Sequence, residues 1–123
     1  MSYGREVLVD VVNADEAMFS RQNIENFMIS LCEALRLERA DLHFWDYDTE
    51  EERAGAPTHL RGVSAVQFVT TSSIVVHTLD DTQQVLVNVF GCGEIDVAVV
   101  ERETIRYFSG RVSNMHSIER GRR

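Results

Sequence analysis

The sequence predicts an α+β fold, a two-layer sandwich in which helices lie on one face of an antiparallel β-sheet. The segments run as strand, helix, several strands, helix and strand, and the strand-like segments in the second half follow each other through short connections. The chain has 123 residues, the length of one domain, and shows no linker or tandem repeat. We therefore treat residues 1–123 as a single domain.

The first half of the chain contains one strand and the clearest helix. Residues 6–12 alternate with three valines on one face, which is typical of a half-buried strand. From Ile24 onward apolar residues recur at helical spacing, and Ser20 or Asn23 can cap the start of that helix. We expect Cys32, on the apolar side of the helix, to be a small core residue.

A polar stretch separates this half from a predicted antiparallel meander. Residues 42–47 are rich in aromatic side chains and are expected to be extended, and 48–59 combine charge with glycine and the single proline, which predicts a loop. Strand-like segments follow at 62–70, 74–78 and 85–90. The stretch between the last two predicts a hairpin connection.

The last elements are a helix and a short strand. Residues 96–108 fit a strand by composition and a helix by the spacing of their apolar residues, and we favour the helix, with Gly110 as its stop. Residues 112–118 predict a strand, and we expect the basic tail 119–123 to be solvated.

Charge and composition exclude several classes of function. Acidic residues outnumber basic ones by 20 to 12, so the net charge of −8 opposes binding to nucleic acid. No apolar run predicts a membrane span or an export signal, which favours a cytoplasmic protein. Cys32 and Cys92 are interpreted as free thiols, and no Cys or His pair has the spacing of a metal site.

Taken one at a time, the candidate catalytic residues have structural interpretations. A histidine in a valine-rich strand, such as His77, is more often structural than catalytic. A serine in a polar TTSS segment, such as Ser72, is usually a turn former. Their combination changes this interpretation, because four short motifs occur in one ungapped stretch: GVSA (62–65), TSS (71–73), HTLDD (77–81) and FGCG (90–93).

This stretch resembles the small bacterial and archaeal form of S-adenosylmethionine decarboxylase. That family has Gly-x-Ser-Gly, Glu-Ser-His, His-Thr-Trp-Pro-Glu and Phe-Thr-Cys-Gly at the same spacing. The opening GREVLVDV and the ERGR near the C-terminus also look like the first strand and the C-terminal motif of the family, so the similarity spans most of the chain.

The resemblance implies a proenzyme that cleaves itself between Thr71 and Ser72. The Ser72 hydroxyl would attack the carbonyl of Thr71, and elimination would leave a pyruvoyl group, the cofactor, at the start of the second chain. A serine needs a neighbouring base for this step. The resemblance assigns the elimination step to His77 and a supporting role to Ser64. Residues 72 and 77 would face opposite sides of one strand, and we expect a turn through TTSS to break that alternation.

The resemblance also implies a decarboxylase of the polyamine (spermidine) pathway with S-adenosylmethionine as its default substrate. The pyruvoyl group binds the substrate amine and accepts the electrons released with CO₂. Cys92 is the expected proton donor to the former α-carbon, because an ordinary thiol is mostly protonated at neutral pH. The expected assembly is a homodimer that packs sheet against sheet in an α/β/β/α arrangement, with residues of both chains around each active site.

Several departures from the family place the substrate in question. Thr71 replaces the glutamate of the family, and Ser73 replaces a histidine and offers a second hydroxyl, so cleavage one bond later is conceivable. Asp81 stands where a glutamate holds the ribose hydroxyls. The aromatic residue that stacks on adenine is replaced by Thr58, and a substitute is expected among three residues before the loop: Phe44, Trp45 and Tyr47.

Two alternatives remain open at this point. The same chemistry could act on a smaller amino acid such as ornithine or arginine, whose cationic side chain would suit an acidic pocket. The chain could instead be a non-processing relative that acts as a binding or regulatory subunit. The mass of the purified chain separates the second alternative from the enzymes, and a substrate panel separates the enzymes from each other.

Overall fold

A computed structural model describes residues 1–123 and shows one six-stranded sheet with order β2-β3-β4-β5-β1-β6. All five neighbouring strand pairs are antiparallel. The predicted α+β fold is confirmed. The strands are β1 (Gly4–Val12), β2 (Arg39–Trp45), β3 (Ser64–Val69), β4 (Ser72–Leu79), β5 (Gln84–Gly91) and β6 (Arg111–Arg120), and the helices are α1 (Arg21–Leu35), α2 (Glu50–Gly55) and α3 (Val97–Phe108).

The two faces of the sheet differ in burial because side chains alternate along each strand. The face under the helices, which we call the helix face, is a closed valine-rich layer formed by Val7, Val9, Val11, Ile74, Val76, Val85, Val87 and Val89. The opposite face, which we call the open face, has no helix over it, and its side chains are half-buried or exposed. It carries Glu6, Leu8, Asp10, Trp45, Ser64, Val66, Phe68, Ser73, Val75, His77, Leu79, Leu86, Asn88, Phe90 and Ile118.

Helices α1 and α3 supply the other half of the core. Ser20 caps α1, as predicted, by accepting a hydrogen bond from the backbone N–H of Asn23 at 3.1 Å. Asp96 accepts from the first turn of α3, which explains why the ambiguous segment 96–108 is a helix. The rings of Phe27 and Phe108 meet with centroids 5.1 Å apart and join the two helices. No helix of the protein has both the length and the apolar character needed to cross a membrane.

The structure differs from the sequence prediction in two polar segments. The expected loop 48–59 contains α2, because Thr49 accepts a hydrogen bond from the N–H of Glu52 and acidic residues fill the first turn. Residues 119–123 are all exposed, as expected for the tail, but β6 is longer than predicted and extends to Arg120. The guanidinium of that residue pairs with Glu6 and lies 5.6 Å from the ring centroid of Phe90.

The two cysteines occupy contrasting environments, which predicts selective alkylation. Cys32 is buried in the core, and desolvation raises the pKa of its thiol to about 11. Cys92 is exposed just after β5. Because the thiolate is the reactive species, iodoacetamide at mildly alkaline pH should label Cys92 first and Cys32 only after denaturation. Peptide mass spectrometry measures this order, and faster labelling of Cys32 in the native protein would contradict the placement of both thiols.

Candidate active site

Ser64 and His77 are brought into direct contact on the open face. They are paired residues in the antiparallel register of β3 and β4, and Ser64 Oγ lies 2.7 Å from His77 Nδ1. This contact occupies one ring nitrogen and leaves Nε2 of the exposed His77 without a partner in the chain. The imidazole is therefore oriented by the serine and keeps one nitrogen available for proton transfer.

A cavity of about 370 Å³ lies beside this pair. Trp45 lines it and is 60% exposed, because the register of β2 and β3 places Trp45 opposite Ser64. The pocket can therefore offer an aromatic face next to a serine–histidine pair. The lining residues are Trp45, His59, Leu60, Arg61, Gly62, Ser64, His77, Thr78, Leu79 and Leu86.

The other two aromatic candidates do not line this pocket. Phe44 is turned toward the helices, where the guanidinium of Arg21 lies 5.2 Å from its ring centroid. Tyr47 packs edge-on against Trp45, with centroids 5.4 Å apart, and its hydroxyl donates to the Leu60 carbonyl at 3.1 Å. Tyr47 thus supports the position of Trp45.

Asp81 lies in the turn after β4, at the same end of the sheet as His77. Its side chain is exposed and makes no ion pair or hydrogen bond within the chain. The neighbouring Asp80 is already engaged, because its carboxylate accepts from Arg53 Nε at 2.8 Å and pairs with the same guanidinium through a second nitrogen at 2.7 Å. Of the two aspartates, Asp81 is the one available to a ligand.

The structure corrects the expectation that Ser72 and His77 meet within one chain. Ser72 is already the first residue of β4, so the segment TTSS does not break the alternation. Ser72 is buried on the helix face, whereas His77 is exposed on the open face. Five residues of extended chain also separate them by about 16 Å. Within one protomer, His77 cannot touch the Ser72 hydroxyl.

The Ser72 hydroxyl itself has no hydrogen-bond partner, although its oxygen is inaccessible to solvent. Unsatisfied buried polar atoms are rare in folded proteins and often mark a functional site. Thr70 and Thr71 immediately before it are exposed. The peptide group joining Thr71 to Ser72 therefore lies at the rim of the sheet.

Cys92 lies at the Ser72 end of the sheet. Phe90, near the end of β5, is paired with Ser73, so β5 ends beside the start of β4. Cys92 follows the last residue of β5. Sequence reasoning missed the role of Gly4 in holding this turn: a Cβ on Gly4 would lie 1.9 Å from the Gly91 carbonyl oxygen and 2.9 Å from Cys92 Cα. Only glycine allows β1 to approach the turn so closely.

A second cavity of about 490 Å³ is strongly acidic and shares Gly62 with the first, although neither Ser64 nor His77 lines it. Arg21 donates to the carboxylate of Asp46, and this hydrogen bond holds the pKa of Asp46 below its usual value. Arg53 bridges Asp80 and Glu50 across the same cavity. No group of three or more histidine, cysteine or acidic side chains is arranged to hold a metal ion.

Comparisons with known proteins agree with this fold. The crystal structure of the adenosylmethionine decarboxylase from Aquifex aeolicus VF5 superposes with a TM-score of 0.76 at 18% identity, covering 99% of this chain and 93% of that one. No curated protein matches the sequence at a significant level. Residues 5–121 match the sequence model of the S-adenosylmethionine decarboxylase family. The chain therefore belongs to the S-adenosylmethionine decarboxylase family.

Proposed function

We propose that this protein is a self-processing, pyruvoyl-dependent decarboxylase whose default substrate is S-adenosylmethionine, the amine product serving polyamine synthesis. One observation carries the proposal: Ser64 and His77 make a 2.7 Å contact on the open face, in a chain that belongs to the decarboxylase family. An exposed imidazole contributes nothing to the core beneath a valine-rich strand. Proton transfer during processing, in contrast, requires an accessible imidazole that is held in a fixed orientation.

The proposed processing begins at the bond between Thr71 and Ser72. The Ser72 hydroxyl oxygen bonds to the Thr71 carbonyl carbon, the carbon–nitrogen bond breaks, and the hydroxyl proton passes to the freed amine. A base then removes the Ser72 Cα proton, which expels the Thr71 carboxylate. Water displaces the nitrogen as ammonia and leaves the pyruvoyl group. His77 is the proposed base, oriented by Ser64.

This role requires a second copy of the chain, because His77 and Ser72 lie at opposite ends of β4. In a two-fold dimer with open faces in contact, the His77 end of one sheet can lie over the Ser72 end of the other. The Ser72 side chain faces the helices, but the group on which His77 is proposed to act is the Ser72 Cα proton, on backbone at the rim of the sheet. Each site would then combine Ser72 and Cys92 of one protomer with the serine–histidine pair of its partner. The separation within one chain is thus a reason for dimerisation.

The open face has the composition that such an interface needs. Three large apolar side chains on it are strongly exposed in the single chain: Trp45 by 60%, Phe68 by 48% and Ile118 by 44%. They share the face with half-buried Leu8, Val75 and Leu86. An apolar surface that crosses a whole sheet is unfavourable in water and typical of a protein interface.

After processing, the pyruvoyl group would supply a ketone for the substrate amine and an acceptor for the electrons released with CO₂. The chain must then deliver a proton to the former α-carbon. Cys92 is the proposed donor, since it is exposed and follows β5 at the Ser72 end of the sheet. The close packing of this turn against Gly4 fixes the position of the Cys92 Cα, from which the thiol side chain extends.

Trp45 and Asp81 are the proposed contacts to the nucleoside part of the substrate. Trp45 supplies a ring in the pocket of the serine–histidine pair, and that ring can stack on adenine. Asp81 has a free carboxylate at the same end of the sheet, which can accept from the ribose hydroxyls. These two residues would replace the aromatic residue and the glutamate that the resemblance leads one to expect.

Cleavage is the first expected outcome. Purified wild-type protein should separate under denaturing conditions into residues 1–71 and 72–123, the second blocked by a pyruvoyl group, whereas Ser72→Ala should remain intact. Intact-mass spectrometry measures both. A single full-length mass after prolonged incubation would favour the non-processing binding or regulatory protein, and a break between Ser72 and Ser73 would make Ser73 the nucleophile.

The roles of His77 and Cys92 should separate in variants. Cys92→Ala should still cleave but form the correctly protonated amine about 10²–10⁴-fold more slowly, the range typical of a lost general acid. His77→Ala should accumulate the intact chain or the ester. Cys32→Ala is the matched control, because it removes the other thiol and should keep turnover. The assignments are reversed if Cys92→Ala stays uncleaved while His77→Ala is fully processed.

Association through the open face is expected at micromolar concentration. Light scattering should report the mass of two chains. Phe68→Asp should shift the equilibrium toward one chain, because it buries an unpaired charge in the proposed interface. Met18→Asp, which changes an exposed residue outside the sheet, should not. A wild-type protein that stays monomeric would exclude the composite site.

Substrate choice is tested at Asp81. Losing a carboxylate that accepts from a sugar hydroxyl costs about 1.5–3 kcal/mol, roughly ten- to more than a hundredfold in affinity. Asp81→Ala should therefore weaken turnover of S-adenosylmethionine without affecting cleavage at Ser72, and Glu51→Ala, another exposed acidic residue, should not. CO₂ release is measured with S-adenosylmethionine, ornithine and arginine. Turnover of ornithine or arginine alone would overturn the proposed substrate.

A further inference from the structure

We infer that the left-handed backbone conformation of Thr71 drives the first step of chain cleavage. This inference rests on the proposed self-processing at Ser72 and adds a positioning role for the residue on the other side of the broken bond. Thr71 has φ +60°. The strain of that conformation is present in the intact chain and can be released once the acyl group moves to the serine oxygen.

The conformation of Thr71 is unusual even within this protein. Five non-glycine residues have positive φ, and Thr71 is the only β-branched residue among them; the others are Asn13, Arg36, Gln83 and Ser109. A β-branched side chain in the left-handed region is a genuine outlier, because its Cβ substituents crowd the backbone. Such outliers concentrate at functional sites.

The hairpin between β3 and β4 holds Thr71 in this state. Val69 and Ser72 are paired residues, so only Thr70 and Thr71 connect the two strands. The Thr71 hydroxyl donates only to the carbonyl of the adjacent Thr70, at 2.7 Å, and does not link the two strands. The ladder on both sides therefore keeps a conformation that the threonine alone would avoid.

The Ser72 hydroxyl provides the second, independent observation. It is buried and has no hydrogen-bond partner, so no existing hydrogen bond must break before it attacks. The unsatisfied hydroxyl is also lost in the product, because its oxygen leaves with the Thr71 carboxylate. The backbone strain of Thr71 and the unsatisfied hydroxyl of Ser72 are thus both present only in the uncleaved chain, and they flank the bond that breaks.

Strain accelerates a reaction only if the transition state carries less of it. In the intact chain one atom, the amide nitrogen, bridges the Thr71 carbonyl carbon and Ser72 Cα. In the ester two atoms, Oγ and Cβ of Ser72, form that bridge. The connection between the strands becomes one atom longer as the carbon–nitrogen bond breaks. The transition state for that bond breaking therefore carries less of the strain, because Thr71 can begin to leave the left-handed region.

Four variants test the inference by the rate at which the full-length mass disappears. Thr71→Gly, which adopts positive φ without strain, should cleave about three- to tenfold more slowly than wild type. Thr71→Asn, which tolerates the conformation, should also be slower. Thr71→Val keeps the β-branch without the hydroxyl and should retain the wild-type rate. Gln83→Gly, at a positive φ in the other hairpin of β4, should leave the rate unchanged.

The strain is measured separately in the uncleavable Ser72→Ala background. There Thr71→Gly should raise Tm by about 2–5 °C. A Thr71→Gly chain that cleaves as fast as wild type, a slow Thr71→Val chain, or no rise in Tm would each overturn the inference while leaving the proposed function standing. A wild-type chain that never cleaves would overturn both.

Discussion

The backbone pairing of β3 with β4 is the constraint on which the rest of the site depends. It sets Ser64 opposite His77 at one end and Val69 opposite Ser72 at the other. Because side chains alternate strictly along a strand, a slip of one residue would move His77 into the core and Ser72 to the surface. The buried layer of Ile74 and Val76 opposes that slip, since both would be exposed by it.

The same constraint divides the proposed catalytic groups between two ends of one sheet. The proposed nucleophile and proton donor lie near the β3–β4 turn, while the imidazole and the cavity with Trp45 lie at the other end. A single chain therefore holds only part of each proposed site. The proposed contact between the open faces of two copies would both cover the apolar surface and complete the site.

Much of this fold could be predicted from the sequence because burial leaves a periodic signal. The valines of β1 and the apolar stripe of α1 show which side faces the core, and Ser20 and Asp96 are recognisable caps. The helix α2 was missed because charged residues in a polar stretch read as a loop, although Thr49 supplies a local cap.

The site was predicted less completely. The family resemblance proposed Ser64 and His77, but whether the segment 70–73 bends or begins a strand is decided by pairing with β3 and β5, which local sequence does not encode. The positive φ of Thr71 is equally invisible, because threonine is among the last residues expected there. Gly4 packs closely against Gly91, which is far away in the sequence. A single glycine in the sequence does not indicate which distant segment it will approach.

The central claim is that His77 of one chain is the base that acts on Ser72 of another chain. Mixed dimers test this claim most directly. Chains carrying Ser72→Ala and His77→Ala are produced together with different affinity tags, and the doubly tagged species is isolated and its masses are measured. The composite site predicts that the His77→Ala chain is cleaved between Thr71 and Ser72 in the mixed dimer and stays uncleaved when produced alone. An intact His77→Ala chain in mixed dimers, under conditions in which wild-type chains cleave, would contradict it.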